Sequence, residues 1–499
     1  MSTATNDFSD HDLASRVPSV LPTHRELYYG GAWHPARSGR SVASLSPGSG
    51  DDLGPYAIAD AADVDAAVQA ARRAWPAWRA TPPLERAALL KRAAQLVREN
   101  AADLALIDAA DCGNPVRQMI DDANIAATQL DYFAGLVLEL KGETVPTANG
   151  SLDYTVREPL GVVARIIPFN HPFMFAAGKI AAPLAAGNTV IVKPPEQAPL
   201  STLRLFELLE GVFPPGVLNC LTGDRETGAA LAAHPDVAAG ALIGSVNAGK
   251  AVMRTAADRL KKVLLELGGK NAMIVFPDAD LDAAAAGAVR GMNFTWCGQS
   301  CGSTSRLFLH DSVHDRVLEK IVALTGRLHR PGLPTDTRTT MGALVSREQL
   351  DKSLSYVADA VQEGAQVACG GRRSADPALQ KGFFVEPTIL SNVTPSMRVA
   401  REEIFGPVMA VIRWSDEAGM FDAVNGVEYG LTAAIWTSNL KTAHTAAARV
   451  EAGYVWINNS SAHFIGAPFG GYKSSGVGRE ECKEEMFEFT QIKNINVTL

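Results

Sequence analysis

Two cysteines lie four residues apart in the stretch CGQSC (297–301), among small and polar neighbours. Such a pair can hold a metal, form a disulfide, pack in a core or supply a nucleophile. A zinc site needs a second Cys or His pair at ligand spacing, and no such pair accompanies this C-x3-C pattern. Taken alone, Cys301 is more often a packing residue than a nucleophile. The other four cysteines are scattered without paired spacing: Cys112, Cys220, Cys369 and Cys482.

Two further side chains lie at or just beyond the ends of predicted strands, where parallel sheets bind their ligands. Asn170 follows VVARII (162–167), and its amide could donate hydrogen bonds, although such a residue often only stabilises a turn. Glu266 lies in KVLLEL (262–267), and an acidic residue in such an aliphatic run is costly to bury without a purpose. The two interpretations of Glu266 are a structural carboxylate and a general base with a raised pKa.

Two other strand ends carry residues that suit a nucleotide. Lys193 ends the run TVIVK, and Glu196 follows it. An acidic residue at such a position can hold ribose hydroxyls, although a charged surface loop is the alternative. Gly244 to Lys250 fits G-x-x-x-x-G-K, but the next residue is alanine, so the hydroxyl that ligates magnesium is missing. The milder interpretation is that Gly244, Ser245 and the following helix N-terminus meet a phosphate of another nucleotide. No GxGxxG pattern occurs.

The spacing of apolar residues predicts the elements that position these side chains. Short aliphatic runs alternate with helical patterns, which predicts parallel sheets covered on both faces. One series of strands ends with KVLLEL and a second begins with AMIVF (272–276), so we predict two doubly wound α/β domains. A β extension combines a hairpin in 142–161 with the terminal IKNINVTL (492–499). A helical pattern covers about 116–139, and Thr81 is predicted to be an N-cap.

Composition excludes several classes of protein. The 499 residues are too many for one core, and 47% hydrophobic with 20% charged residues is typical of a globular protein. A formal net charge of −8 disfavours nucleic acid as a partner. The polar, acidic N-terminus lacks the pattern of a secretory signal, and no apolar run approaches the ~20 residues of a membrane helix. We therefore expect a cytoplasmic protein with reduced thiols and no membrane partner.

The loops described above resemble those of the aldehyde dehydrogenase superfamily in their order and separation. The resemblance extends from YYGGAW to the terminal IKNINVTL. It implies an NAD(P)-dependent enzyme of the hydrolytic type, which does not pass the acyl group to coenzyme A. It also implies that Cys301 is the nucleophile and Cys297 a bystander. The most distinctive pieces are LELGGKNAMIVFPDADLDAA, GQSC, EEIFGPV and PFGGYKSSGVGRE.

The same resemblance implies the oxidation of an aldehyde to a carboxylic acid. Cys301 would form a thiohemiacetal and then a thioester, Asn170 and the Cys301 N–H would stabilise the oxyanion, and Glu266 would activate the hydrolytic water. Lys179 and Glu480 match positions proposed to pass protons to and from that base. The residues implied to contact the cofactor are Ile166, Pro168, Lys193, Glu196, Gly244, Ser245, Leu267, Glu403 and Phe405.

Departures from the family pattern predict the substrate. Gly178 stands where many relatives carry a bulky aromatic residue, and we expect a glycine there to widen the substrate tunnel. A bulky or aromatic aldehyde is predicted, with betaine aldehyde or an aliphatic aldehyde as alternatives. Because Glu196 would repel a 2′-phosphate, NAD is expected over NADP, although Lys193 leaves NADP possible. The predicted pocket residues are Phe175, Gly178, Ser300, His463 and Phe469, with Phe173 and Phe464 as further lining.

Two other functions remain as hypotheses. A P-loop nucleotide hydrolase rests on the one motif that lacks its hydroxyl, and a non-catalytic structural relative would be free to lose the nucleophile or the base. We also expect a homodimer or homotetramer. The predicted parts of the chain are a flexible tail over 1–24, a dinucleotide-binding domain over 25–142 and 160–268, a catalytic domain over 269–480, and an oligomerisation extension over 143–159 and 481–499.

Overall fold

The computed structural model describes residues 11–147 and 150–498. Its first large sheet has eight strands, of which the five central ones are parallel. The first of these five along the chain lies in the middle, the second and third lie on one side, and the fourth and fifth lie on the other. This order is typical of a dinucleotide-binding sheet. In spatial order the strands are Ala32–His34, Leu27–Tyr29, Leu218–Cys220, Thr189–Lys193, Val162–Ile166, Val237–Gly244, Lys262–Leu267 and Gly476–Val477.

The second large sheet has seven strands, and all of its pairs are parallel except the one at the edge strand Gln366–Cys369. The central strands of both sheets are buried, because helices cover both faces. The prediction of two doubly wound α/β units is therefore confirmed. In spatial order the strands are Gln366–Cys369, Thr388–Val393, Val408–Trp414, Arg306–His310, Ala272–Val275, Thr432–Trp436 and Tyr454–Ile457.

Three small sheets complete the β structure. The terminal strand Thr490–Thr498 pairs with Ser151–Pro159 of the same chain over nine residue pairs, from Thr490 opposite Pro159 to Thr498 opposite Ser151. Thr144–Val145 adds the third strand of this extension. Residues 148–149 of the predicted hairpin lie outside the described residues. The two remaining sheets have two strands each: Ser41–Leu45 with Asp52–Ala57, and Tyr429–Gly430 with Tyr472–Lys473.

The helices cover both sheets and form a further layer against the first one. Three of them, Pro83–Glu99, Ala101–Cys112 and Val116–Gly135, contribute to the largest apolar core together with Pro172–Gly178 and Ala181–Ala185. The other α-helices are Val17–Val20, Ala61–Ala80, Leu200–Leu208, Arg225–Ala233, Val246–Ala257, Leu281–Gly291, His314–Leu328, Arg347–Gln362, Arg398–Arg401, Glu417–Asn425, Leu440–Arg449 and Lys483–Glu488. Single 3-10 turns occur at Ala14–Arg16, Val137–Glu139, Phe294–Trp296 and Pro377–Leu379.

The structure corrects two local predictions. Thr81 is not an N-cap: it ends the helix Ala61–Ala80, and its hydroxyl donates to the Ala77 carbonyl. The predicted tail is ordered from residue 11, because Leu13 is fully buried and its N–H donates to the Thr335 carbonyl at 3.1 Å. Residues 1–10 lie outside the described part. Within the described part, no helix combines the length and the apolar character that a membrane crossing requires.

Candidate active site

Four residues predicted to contact a cofactor meet at the carboxyl ends of the central strands in the first sheet. Ile166 lies opposite Lys193 on the neighbouring strand, and Gly244 lies opposite Leu267. Lys193 is buried, and its ammonium donates to the Pro194 carbonyl at 3.0 Å. Burial lowers the pKa of Lys193 to about 8, although nearby carboxylates oppose this shift. The pairing of parallel strands thus places these residues along one edge, as we expected.

Three more residues of this region lie at the start of a helix or in the loops that follow the strands. Ser245 caps the helix Val246–Ala257, and its hydroxyl accepts from the Ala248 N–H at 3.2 Å. Glu196 is exposed, and its backbone carbonyl accepts from the Tyr56 hydroxyl at 2.6 Å. Pro168 is half-buried just beyond the strand end at Ile166. The edge therefore offers a helix N-terminus for phosphate and an exposed carboxylate, which accepts from the Gln197 amide at 3.2 Å, for hydroxyl groups.

The segment 402–408 approaches the same edge from the second sheet. Glu403 accepts a hydrogen bond from the Gly269 N–H at 3.0 Å, and burial raises the pKa of this carboxyl group. Phe405 has a positive φ of 59°, and its carbonyl is held by the Gln349 amide at 2.7 Å. The Phe405 ring packs edge-on against Phe169 at 5.7 Å between centroids. Both implied contacts for the nicotinamide end of a cofactor therefore lie beside the loop that follows Glu266.

Glu266 and Cys301 face each other across the cleft between the two sheets. Glu266 is the penultimate residue of Lys262–Leu267 and is 3% exposed. Burial raises the pKa of Glu266 to about 8, and a hydrogen-bonding contact with the Cys301 thiol opposes the shift. Burial and then the negative charge of Glu266 raise the pKa of Cys301 well above its ordinary value. The thiol therefore keeps its proton until a base removes it, and Glu266 is within reach to do so.

Asn271 holds the loop that carries Cys301, a role that the sequence reasoning missed. Its amide nitrogen donates to the Cys301 carbonyl at 2.6 Å and to the Ser303 carbonyl at 3.0 Å, and its oxygen accepts from the Thr432 N–H at 3.0 Å. A β-carbon at Gly269 would lie 2.9 Å from the Cys301 carbonyl, so a glycine permits this approach. The available signal was the asparagine that closes GGKN, directly after the strand that bears Glu266.

Cys297 has a different environment from Cys301. It is buried with a positive φ of 53°, and its thiol donates to the Gly342 carbonyl at 3.0 Å. Burial raises the pKa of the Cys297 thiol. Cys297 is therefore a packing residue in a tight turn. Of the two cysteines in CGQSC, Cys301 is the one that faces a carboxyl group.

Asn170 lies beyond the strand Val162–Ile166 and is buried. The Asn114 amide, a contact that the sequence did not indicate, donates to the Asn170 carbonyl at 2.7 Å and fixes its backbone. The next residue, His171, binds Asp122 at 2.7 Å and tethers the loop to the helix Val116–Gly135. The Asn170 side-chain oxygen has no hydrogen-bond partner among the described residues. The backbone of this residue is therefore fixed on both sides while its amide group remains available.

Lys179 and Glu480 form a buried ion pair at 3.0 Å, inside a larger network with Arg165 and Glu485. Burial opposes ionisation of Glu480, but the cations Lys179 and Arg165 lower its pKa to about 2. The buried ion pairs therefore fix both side chains in place, and their part in passing protons stays a prediction. Glu480 and Lys179 also act on Glu266, raising and lowering its pKa respectively.

The predicted pocket residues divide into two groups. His463 is 4.8 Å from Phe469 between ring centroids, and a β-carbon at Gly302 would lie 3.9 Å from His463 Nε2. This aromatic group therefore lies beside the catalytic loop. Ser300, by contrast, lines a small cavity together with Glu403 and Phe405, on the side predicted for the cofactor.

The predicted phenylalanine lining is only partly accessible. Phe175 is buried and packs edge-on against His171, whereas Phe173 is fully buried in the main core. Phe464 is 63% exposed. Phe173 and Phe175 both belong to the main core, and of these three phenylalanines only Phe464 is exposed.

At Gly178 the space next to the backbone is taken by a neighbouring side chain, because a β-carbon at this position would lie 1.8 Å from Gln129 Oε1. Gln129 lies on the helix Val116–Gly135 and is buried. The widening of the substrate tunnel by Gly178 stays a prediction. No feature of the local sequence shows which residue of a neighbouring helix lies against this glycine.

Comparison with known protein families agrees with this geometry. The family model described as the aldehyde dehydrogenase family matches residues 33–495. The chain belongs to the aldehyde dehydrogenase family. An aldehyde dehydrogenase named tropH from Talaromyces stipitatus is 51% identical over 489 residues, which cover 97% of this chain and 95% of that protein. Enzymes of this family are oxidoreductases, so the sequence resemblance is confirmed at the level of the family.

Solved structures of the family superpose closely on this aldehyde dehydrogenase. The NAD+ complex of a Bacillus cereus aldehyde dehydrogenase gives a TM-score of 0.94 at 37% identity, covering 98% of this chain and 100% of that one. A mutant of the indole-3-acetaldehyde dehydrogenase AldA of P. syringae, in complex with NAD+ and IAA, gives 0.94 at 36% identity, covering 97% and 99%. Both structures contain NAD+, which supports NAD binding by relatives of this fold.

Proposed function

We propose that this protein oxidises an aldehyde to a carboxylic acid with NAD, through a thioester on Cys301. The observation that carries the proposal is the hydrogen-bonding contact between the partly buried Cys301 thiol and the buried Glu266 carboxyl group. Glu266 removes the thiol proton, and the thiolate sulfur attacks the aldehyde carbon. The amide of Asn170 and the Cys301 N–H then stabilise the oxyanion that forms.

The residues at the strand ends fit a dinucleotide. They supply a helix N-terminus at Ser245, the buried cation Lys193, and the carboxylates of Glu196 and Glu403 for ribose hydroxyls. NAD held there would accept the hydride that leaves the substrate carbon, which yields the thioester. The thiol proton passes from Glu266 to solvent, and Glu266 in its ionised form then takes a proton from water. The resulting hydroxide attacks the thioester carbon, the C–S bond breaks, and the acid is released as Cys301 returns to its thiolate form. The fixed Cys301 loop keeps the carbonyl carbon within reach of that water.

Two alternatives lose support from the geometry. A nucleotide-hydrolysing P-loop would need its lysine at the phosphates, but Lys250 lies at the surface and pairs with Glu428 at 3.7 Å. A non-catalytic relative would have no need for a buried carboxyl group opposite a thiol, an arrangement that costs stability. The Glu266–Cys301 pair therefore favours catalysis.

The substrate class can be tested directly. With NAD and no coenzyme A, we expect reduced nicotinamide to accumulate steadily when an aromatic or other bulky aldehyde is added, with higher kcat/KM than for short aliphatic aldehydes or betaine aldehyde. A higher kcat/KM for a short aliphatic aldehyde would contradict the bulky-substrate proposal. No turnover of any aldehyde by folded, reduced protein would contradict the proposed function itself.

Replacing Glu196 with glutamine is expected to improve the use of NADP. The exposed carboxylate would repel a 2′-phosphate. Removing one such pair of like charges in water changes the affinity for NADP relative to NAD by about tenfold. We expect both the Kd for NADP and kcat/KM with NADP to improve relative to NAD. The control is Glu319→Gln, which removes an exposed charge from the helix His314–Leu328. Equal NADP use by wild type and Glu196→Gln would contradict the assignment.

The β extension is proposed to hold subunits together. Its three strands are antiparallel, with Thr490–Thr498 and Thr144–Val145 at the two edges. Most side chains of Thr490–Thr498 are exposed, and Ile492 is 61% exposed. An edge strand with unpaired backbone groups and exposed apolar residues is suited to pairing with another subunit.

A further inference from the structure

Gln129, on the helix Val116–Gly135, and Gly178, at the end of the helix Pro172–Gly178, pack against each other. The Gln129 Oε1 and Cδ atoms would lie 1.8 Å and 3.0 Å from a β-carbon at Gly178. No side chain beyond hydrogen fits at position 178 while the amide holds this place. The glycine therefore makes room, and a polar group takes the space where many relatives carry an aromatic side chain.

The Gln129 amide has an unmet hydrogen-bonding requirement. The side chain is 3% exposed, and its Oε1 atom has no hydrogen-bond partner in the described part of the chain. Leaving a buried acceptor unpaired is costly, so native proteins generally satisfy such groups with water or a ligand. The unpaired amide oxygen at an apolar helix interface is therefore a candidate position for water or a ligand to complete the hydrogen bonds.

The contacts around Gly178 indicate which part of the protein surrounds the Gln129 amide. His171, Phe175 and Gly178 stand at i, i+4 and i+7 and so share one face of the helix Pro172–Gly178 and its N-cap. The His171 ring lies 5.5 Å from Trp296, in the loop that leads to Cys301. The face that carries Gly178 therefore continues towards the catalytic loop.

The helix that carries Gln129 borders the same space from the other side. Tyr132, three residues further along, brings its hydroxyl within 3.6 Å of a β-carbon at Gly466. Gly466 belongs to the segment that contains His463, the residue beside Gly302. The helix Pro172–Gly178 has seven residues, begins just after Asn170 and ends at Gly178. The Gln129 amide, which lies against Gly178, is therefore about 10 Å along this helix from the proposed oxyanion site.

We propose that Gln129 selects aldehydes that carry a hydrogen-bonding substituent, a hydroxyl or an oxo group, away from the aldehyde carbon. This inference rests on the proposed function and names the substrate class of the same site. The amide oxygen accepts from a hydroxyl, and rotation of the amide by half a turn presents its N–H₂ to an oxo group. An apolar isostere of the same size leaves the buried amide unpaired and is discriminated against.

The test compares matched pairs of aldehydes in wild type and Gln129→Met. Benzaldehydes and phenylacetaldehydes with a hydroxyl group at each ring position are paired with their methyl counterparts. For at least one position, we expect wild type to prefer the hydroxyl compound by about 10- to 100-fold in kcat/KM. Gln129→Met keeps the volume but removes the polar group, so the ratio of kcat/KM for the hydroxyl compound to that for the methyl compound should fall to within about threefold.

Two further variants test whether the hydroxyl preference depends on the position of the Gln129 amide. Gly178→Ala places a methyl group where the amide lies, displaces Gln129 and should lower the same preference without touching the amide itself. Gln95→Met, an exposed site on the helix Pro83–Glu99, is the matched control and should leave the preference unchanged.

A hydroxyl preference that survives in Gln129→Met would overturn the proposal and assign the amide to a buried water. The absence of any hydroxyl preference in wild type would overturn it as well. Failure of the proposed function is distinguishable from both results, because in that case wild type would oxidise neither member of any pair.

Discussion

Replacing Cys301 with alanine is expected to lower aldehyde oxidation by at least about 10⁴-fold, since no other group in the site can form the thioester. Folding should be little affected, because the loop is held through the Cys301 carbonyl by Asn271 and not through the thiol. The measurements are kcat/KM for the best aldehyde and the Kd for NAD, of which only the first should change. Intact mass after treatment with an alkylating reagent should show one modified site fewer.

Cys297→Ala provides the matched control for Cys301. Both cysteines belong to CGQSC, but the Cys297 thiol contacts only the Gly342 carbonyl and apolar neighbours. We expect the Cys297→Ala enzyme to keep kcat within about threefold and to lose about 1 kcal/mol of unfolding free energy through the lost thiol contact. A larger loss of activity in Cys297→Ala than in Cys301→Ala would reverse the assignment of the nucleophile.

Replacing Glu266 with glutamine is expected to separate the two halves of the reaction. Removing the negative charge lowers the pKa of Cys301, because that charge is one cause of its upward shift. The first chemical step loses the base that takes the thiol proton but gains a more acidic thiol, so it should slow less than hydrolysis of the thioester, which should slow by about 10²–10⁴-fold without its base. Rapid-mixing absorbance should show a burst of one reduced nicotinamide per subunit, and intact mass should show the acyl group on the protein.

The pH dependence gives an independent test of Glu266. Burial raises the pKa of Glu266 to about 8, and only the ionised form can take a proton from water. When hydrolysis limits turnover, kcat should rise with pH and reach half its plateau near pH 8. In Glu266→Gln this rise should disappear, whereas the surface control Glu319→Gln should keep it. A burst-free Glu266→Gln enzyme with the wild-type pH profile would contradict the assignment.

Much of the fold could be predicted from local patterns. The runs VVARII, TVIVK and KVLLEL became strands within a residue of the predicted ends, because a buried parallel strand needs an unbroken apolar stretch. The strand Leu27–Tyr29 and the edge strands Ala32–His34 and Gln366–Cys369 were missed. They are short, they pair antiparallel, and their stability depends on the neighbouring strand more than on their own composition.

The expectation that functional residues lie at the carboxyl ends of parallel strands located only part of the site. Glu266 and Lys193 do lie at carboxyl ends of strands in the first sheet. Cys301 instead precedes the strand Arg306–His310 and reaches the cleft from the amino-terminal edge of the second sheet. The spacing of residues in the sequence cannot show that the carboxyl-terminal edge of one sheet faces the amino-terminal edge of the other. The pairing of Glu266 with Cys301 therefore came from the family resemblance and not from the expectation that ligands bind at the carboxyl ends of strands.

The sequence by itself determined the family, the α/β class and the residues proposed for chemistry, because these depend on residue types in long, distinctive motifs. Only the tertiary structure decided which side chains meet. It placed Asn271 under the Cys301 loop, held Glu480 at a low pKa between two cations, and filled the space at Gly178 with Gln129. Each of these contacts joins residues from separate elements, and its energy depends on burial and distance, which the order of residues does not encode locally.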